Sequence, residues 1–261
     1  MDAGRLADYA PAIAGSTILF EILSKTSLPA FHASFGAADR PALPKKLSAY
    51  LTSTVHALIS VAASVALLAT PSNIHEDRLF GTDRSTTLLL SFSAGYFLHD
   101  LIDSIQRFSG SRSDVLFVVH HVVSLYIYAS AALLPVGQYW CCTFLVYEAS
   151  TPFLNWQGFL RDVRWGSTGL LTVAKIMFAV TFIAVRIVYG TAATFLLWKD
   201  LVPIMTAAAD GSTLTTTRPV PHVAVFIVYF VLSVLFMMLN AYWGYMIVQK
   251  IRRAISKRKS S

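Results

Sequence analysis

The sequence predicts an all-α fold, a bundle of about seven helices crossing a membrane, and three observations carry that prediction. The 261 residues are 55% hydrophobic and 13% charged, about half the charged share of a soluble domain, with a mean hydropathy of +0.58. The apolar residues gather in runs near twenty residues long, enough to cross roughly 30 Å of hydrocarbon at 1.5 Å per residue. The charges between the runs divide unequally between the two sides of the bundle.

The runs fall at 6–23, 48–70, 86–106, 115–134, 137–157, 168–197 and 222–248. The first is the weakest, with Asp8 and Glu21 at its ends and Pro11 near its start. It does not read as a signal peptide, because its start mixes acid and base and no small-residue cleavage site follows. The longest connections, 24–47 and 198–221, carry the Pro, Gly, Ser and Thr of loops. No repeat or separate soluble domain stands out. We divide the chain into an N-terminal membrane segment with its loop (1–44), a main membrane domain (45–250) and a basic tail (251–261).

Seven spans with the N-terminus outside leave fourteen Lys/Arg on the cytoplasmic side and five on the other. The fourteen include Lys45, Lys46, Arg107 and Arg161; the five are Arg5, Arg78, Arg84, Lys199 and Arg218. This positive-inside bias sets the orientation and places the C-terminus in the cytoplasm. Six of the cations lie at 250–259 with no acid among them. In a membrane chain such a run marks the cytoplasmic face and contacts anionic headgroups; no nucleic-acid partner is expected. The final residues, Lys257-Arg258-Lys259-Ser260-Ser261, match the K-x-K-x-x address that returns membrane proteins to the endoplasmic reticulum. Cys141 and Cys142 are adjacent and read as small apolar packing residues without a disulfide framework.

Polar residues inside the runs recur at helical spacing. In the third, Asp100 and Asp103 share a face, with His99 beside them; they either work there or are hydrated at the helix end. The fourth carries the adjacent pair His120 and His121, costly at membrane depth. His121, Ser124 and Tyr128 form one stripe, and His120 points about 100° away. In the fifth, Glu148, Thr151 and Asn155 make a stripe next to Tyr147, and Pro152 is expected to kink the helix and free a carbonyl near Glu148. In the sixth, Lys175 and Arg186 are eleven apart, three turns, so one face can carry both. The seventh offers Tyr229 and Asn240. Helix packing, snorkelling and hydration are the plain alternatives for Ser124, Tyr128 and Lys175. Glu148 and Arg186 lie deep in their runs, where opposite charges pair or bind a polar ligand group.

An imidazole can take a proton from a hydroxyl or amine, or attack an activated acyl group, and a nearby carboxylate fixes its tautomer. No metal site is expected, because the histidines at 32, 56, 75, 99, 120, 121 and 222 do not form the clusters of membrane di-iron enzymes.

Three stretches together resemble the TLC domain of ceramide synthases, translocating-chain-associated membrane proteins and short TLC-domain proteins. They are Gly95-Tyr96-Phe97-Leu98-His99-Asp100-Leu101, His120-His121-Val122-Val123-Ser124 and Glu148-Ala149-Ser150-Thr151-Pro152-Phe153-Leu154-Asn155. The resemblance covers roughly 45–250 and is closest to the short members. It implies a helical bundle around a lipid-accessible cavity, endoplasmic reticulum residence and a role in lipid homeostasis. In ceramide synthases the double histidine serves acyl transfer from acyl-CoA, and a second motif reads H-D-x-x-D. The matching stretch here starts Tyr147-Glu148 and ends at Thr151, so one acid is kept as Glu148 and the other is absent.

Two expectations follow. In one, His120, His121 and Glu148 act on a lipid acyl chain, with acyl-CoA as co-substrate and no resident cofactor. Asp100, Asp103, Ser124, Tyr128, Tyr147, Thr151, Asn155, Lys175, Arg186 and Asn240 then line the lipid cavity. In the other, the same polar pocket belongs to a non-catalytic lipid sensor, carrier or cargo-handling protein. Membrane lipids are the partners in both, and the oligomeric state is left open.

Overall fold

The computed structural model describes residues 3–36, 38–164, 168–209 and 220–259. All regular elements among them are helical. They are α1 (Ala3–Phe35), α2 (Leu43–Ala69), a short α3 (Asn73–Glu76), α4 (Arg84–Gln106), α5 (Arg112–Leu133), α6 (Gln138–Leu145), α7 (Thr151–Asp162), α8 (Thr168–Phe182), α9 (Gly190–Ala209) and α10 (Val220–Lys259). A 3₁₀ turn (Val146–Ser150) joins α6 to α7, and a π turn (Ile183–Tyr189) joins α8 to α9.

Local chemistry sets several boundaries. Asp83 caps α4, accepting from the Thr86 N–H at 2.7 Å and the Thr86 hydroxyl at 2.6 Å. Ser111 and Asp114 form a capping box at the start of α5. Pro152 opens α7, where its missing N–H costs nothing. The segment 137–157 is therefore helical throughout from Gln138, with a 3₁₀ stretch at Val146–Ser150 just before Pro152. The carbonyl of Glu148 is also taken, accepting from the backbone N–H of Thr151.

Five of the described helices are long and apolar enough to cross a membrane: Gly4–Phe35, Leu43–Ala69, Arg112–Leu133, Gly169–Ala207 and Val223–Arg253. The apolar runs 86–106 and 137–157 are helical as well. The first of these is diluted by His99, Asp100 and Asp103, and the second is broken by the turn at Val146–Ser150. The connections expected at 24–47 and 198–221 shrink. Helix α1 runs through Pro29 to Phe35, α2 begins at Leu43, and α9 continues through Pro203 to Ala209.

The chain divides into two units, Met1–Lys175 and Ile176–Ser261. In the first, α4 packs against α1, α2 and α5, and α2 also packs against α1, α6 and α7. Its core joins Phe20, Leu90, Tyr96, Phe97, Tyr128 and Leu145, with Cys141 and Cys142 buried as free thiols. Small residues let α1 and α4 close up: Ser16 donates to the Phe92 carbonyl at 2.7 Å and Thr17 to the Gly95 carbonyl at 3.0 Å.

The charged groups of this unit collect at two ends. At one, Arg5 donates to the Ala132 carbonyl and Gln138 donates to Thr87, while the Asp83 N–H donates to Gln138. At the other, Lys45 pairs with Asp103, Lys46 pairs with Asp162 at 2.7 Å, and Arg40 donates to the Asp162 carbonyl. The loops assigned to one side by charge thus meet at one end. Helix α1 joins Arg5 at the first end to Phe31 and Phe35, which pack beside Leu43, Leu47 and Phe159 toward the second. In the second unit α9 packs on α10, and the Trp198 indole donates to Ser233 at 2.8 Å.

Candidate functional site

Helices α4 and α5 bring together the polar groups of the first unit. His121 Nε2 lies 2.5 Å from Asp100 Oδ2, and both side chains are buried. The Tyr96 hydroxyl, one turn before Asp100 on α4, donates to the same oxygen at 3.2 Å. The result is an imidazole–carboxylate pair with a phenol behind it, enclosed by Phe97 and Tyr128 stacked at 5.1 Å. In such a pair the carboxylate orients the ring and stabilises the imidazolium that forms on proton uptake.

Among the predicted residues, His121, Ser124 and Tyr128 do form one buried stripe on α5. His120 is half-buried, with its ring edge toward His121 at 5.3 Å. Glu148 lies on the 3₁₀ turn and is buried. The carboxylate hydrogen-bonded to His121 is that of Asp100. Glu148 Oε2 instead accepts the Thr151 hydroxyl at 2.8 Å. The position where ceramide synthases carry a second acid therefore holds a hydroxyl that donates to the first.

Other predicted residues sit elsewhere. Asp103 lies at the charged end, on Arg107 at 2.5 Å and Lys45 at 3.6 Å. Asn155 donates to the Tyr50 carbonyl and the Thr54 hydroxyl of α2, a packing bond between helices. Tyr147 is buried with its ring edge on Phe144. Lys175 is exposed, whereas Arg186 is buried with its guanidinium 5.8 Å from the Phe182 ring centre. Asn240 is buried in the second unit.

Two residues, Tyr96 and His56, were given no role in the sequence reading. Tyr96 is the i−4 neighbour of Asp100, a spacing legible in hindsight. His99, expected beside the two aspartates, faces Glu21 of α1 at 3.3 Å. His56 is completely buried and lies flat on Tyr96, with ring centres 3.9 Å apart and planes 10° from parallel. Its signal was a strict i+4 file of small polar residues along α2, Ser48, Thr52, Ser60 and Ser64, all fully buried and interrupted only by this histidine.

At the charged end, Asp162 takes hydrogen bonds from Arg161, Lys46 and Tyr50. Burial raises its pKa, but those donors outweigh it and hold the carboxyl down at about 2. Arg161 is correspondingly held above its ordinary value by Asp162.

Comparison with known proteins identifies the family. The TLC domain family matches residues 46–249. TLC domain-containing protein 4-B of Danio rerio is 32% identical over 179 residues, 67% of each chain. Topoisomerase I damage affected protein 4 of Saccharomyces cerevisiae is 30% identical over 166 residues, 62% of this chain and 58% of its own. TLC domain-containing protein 1 of Gallus gallus is 28% identical over 189 residues, 72% of this chain and 73% of its own. The match holds the His120-His121 helix, the Asp100 helix and the Glu148 turn in one domain, and the chain is a membrane protein of the TLC domain family.

Proposed function

We propose that this protein acts in lipid homeostasis in the endoplasmic reticulum membrane, with its C-terminus in the cytoplasm, and that His121 meets the polar end of a bound lipid. The buried His121–Asp100 pair carries the reading. An ionisable pair inside an apolar bundle is expensive, and working sites are where such groups are retained. With Asp100 holding Nε2, His121 is equipped to take a proton from a lipid hydroxyl or amine, and acyl transfer from acyl-CoA is the reaction that suits it.

The Thr151–Glu148 hydrogen bond favours a second reading, a lipid sensor or carrier. It engages the carboxylate that would otherwise stand beside the histidines, and it replaces the second acid of the ceramide synthase motif with a hydroxyl.

One experiment separates them. Purified protein is incubated with labelled acyl-CoA and a panel of lipid amines and alcohols, as wild type and as His121→Ala. Transfer lost by at least about a hundredfold in the variant, the low end for a general base, supports the enzyme. Lipid that copurifies unchanged with the wild type, with no turnover on any acceptor, supports the carrier. If His121→Ala and wild type retain the same lipids and neither turns over, the site assignment itself fails.

A further inference from the structure

We propose that Tyr96, held flat by His56, is a positioning residue for the His121–Asp100 pair: its hydroxyl, on the same oxygen as His121 Nε2, holds the Asp100 carboxylate against that nitrogen and so favours the Nε2–H tautomer. Three observations converge on it. The Tyr96 hydroxyl and His121 Nε2 meet on one atom, Asp100 Oδ2, at 3.2 Å and 2.5 Å. Tyr96 cannot swing away, because the His56 ring covers its face at 3.9 Å while Phe20 and Phe97 stand edge-on at 5.0 Å and 5.3 Å. His56 lies wholly inside this aromatic box, with neither ring nitrogen in a hydrogen bond. Its flat face, more than its nitrogens, is what the surroundings engage.

The geometry has a chemical consequence. Asp100 accepts, so a neutral His121 must carry its proton on Nε2, leaving Nδ1 as the basic nitrogen. The phenol one turn away on α4 holds the carboxylate on the His121 side. His120 stands beside His121 on the same helix, with ring centres 5.3 Å apart. That the basic nitrogen serves a lipid rests on the function proposed above; the tautomer does not.

The test reads the tautomer directly. Full-length protein with ¹⁵N-labelled histidine is placed in phosphatidylcholine nanodiscs at pH 8, and the His121 resonances are identified by their loss in His121→Asn. Wild type is expected to hold His121 in the Nε2–H form. Tyr96→Phe removes one oxygen and leaves the stack, and should raise the Nδ1–H share by about fivefold or more, the equivalent of one lost hydrogen bond. His56→Phe keeps a flat ring against Tyr96 and should leave the tautomer as in wild type. If Tyr96→Phe does not accumulate, Asp100→Glu, which keeps the charge and displaces the oxygens, is expected to show the same rise. An unchanged His121 spectrum in Tyr96→Phe, or in Asp100→Glu where that variant stands in, overturns the proposal. So does a shift in His56→Phe that Tyr96→Phe lacks. No lipid substrate enters the measurement, so failure here and failure of the acyl-transfer reading are separate results.

Discussion

Two carboxylates three residues apart on α4 meet opposite fates. Asp100 turns inward to His121 and Tyr96, and Asp103 turns out to Arg107 and Lys45. At the same charged end Asp162 gathers donors from α2 and α7, and its lowered value of about 2 makes a pH prediction. A carboxyl whose folded value lies below its ordinary 3.8 stabilises the fold fully above that ordinary value. The contribution is lost as pH falls from there through about 2. Asp162 is partly solvated, so the effect is screened and stays below about 1 kcal/mol. We expect wild type to melt about 2 °C above Asp162→Asn at pH 6, with the gap closing toward pH 2. A gap that persists unchanged in acid would mean that the carboxylate charge is not what holds this end.

Small residues decide how closely the elements approach. A Cβ on Gly95 would meet the Ile13 carbonyl and the Ser16 side chain, both on α1, so α4 could not keep its present distance. Gly95→Ala should cost about 1–3 kcal/mol, the range for overpacking a tight interface. It should also break the Thr17–Gly95 and Ser16–Phe92 hydrogen bonds that cross it. A thermal midpoint in detergent equal to wild type would refute this. Gly158 is gentler, because its added Cβ would meet the Tyr50 hydroxyl at 2.7 Å, the far end of a side chain. Pro152 shows the same logic on the backbone. Inside a continuous helix it kinks; at the first turn after Val146–Ser150 it starts a new one.

At the scale of the molecule, the positive-inside count assigns the sides, and in the first unit the loops it groups together are tied to one another by ion pairs. Residues 40–46, 103–107 and 161–162 meet at one end, while Arg5, Asp83 and Gln138 gather at the other. The natural chain has no Asn-x-Ser/Thr acceptor, so glycosylation can be introduced cleanly as a reporter. An acceptor placed in the connection between α9 and α10 should be glycosylated in microsomes, and one appended after Ser261 should not. The reverse pattern would invert the topology. The 210–219 part of that connection and the last two residues of the K-x-K-x-x match lie outside the described residues.

The sequence by itself determined the solvent and the fold class. Runs of about twenty apolar residues with so few charges have no stable state in water, and lipid requires their backbone to be helical. It also located the histidine helix and its buried stripe, because helical periodicity alone puts His121, Ser124 and Tyr128 on one face. It could not choose the acid. On paper Glu148 was the favoured partner and Asp100 a lining or hydrated residue, yet Asp100 is the acid that pairs with His121, because that depends on how α4 and α5 pack. The same holds for His56, whose partner Tyr96 lies on another helix. Periodicity describes one helix at a time. Only tertiary packing decides which helices face each other, and so which imidazole meets which carboxylate.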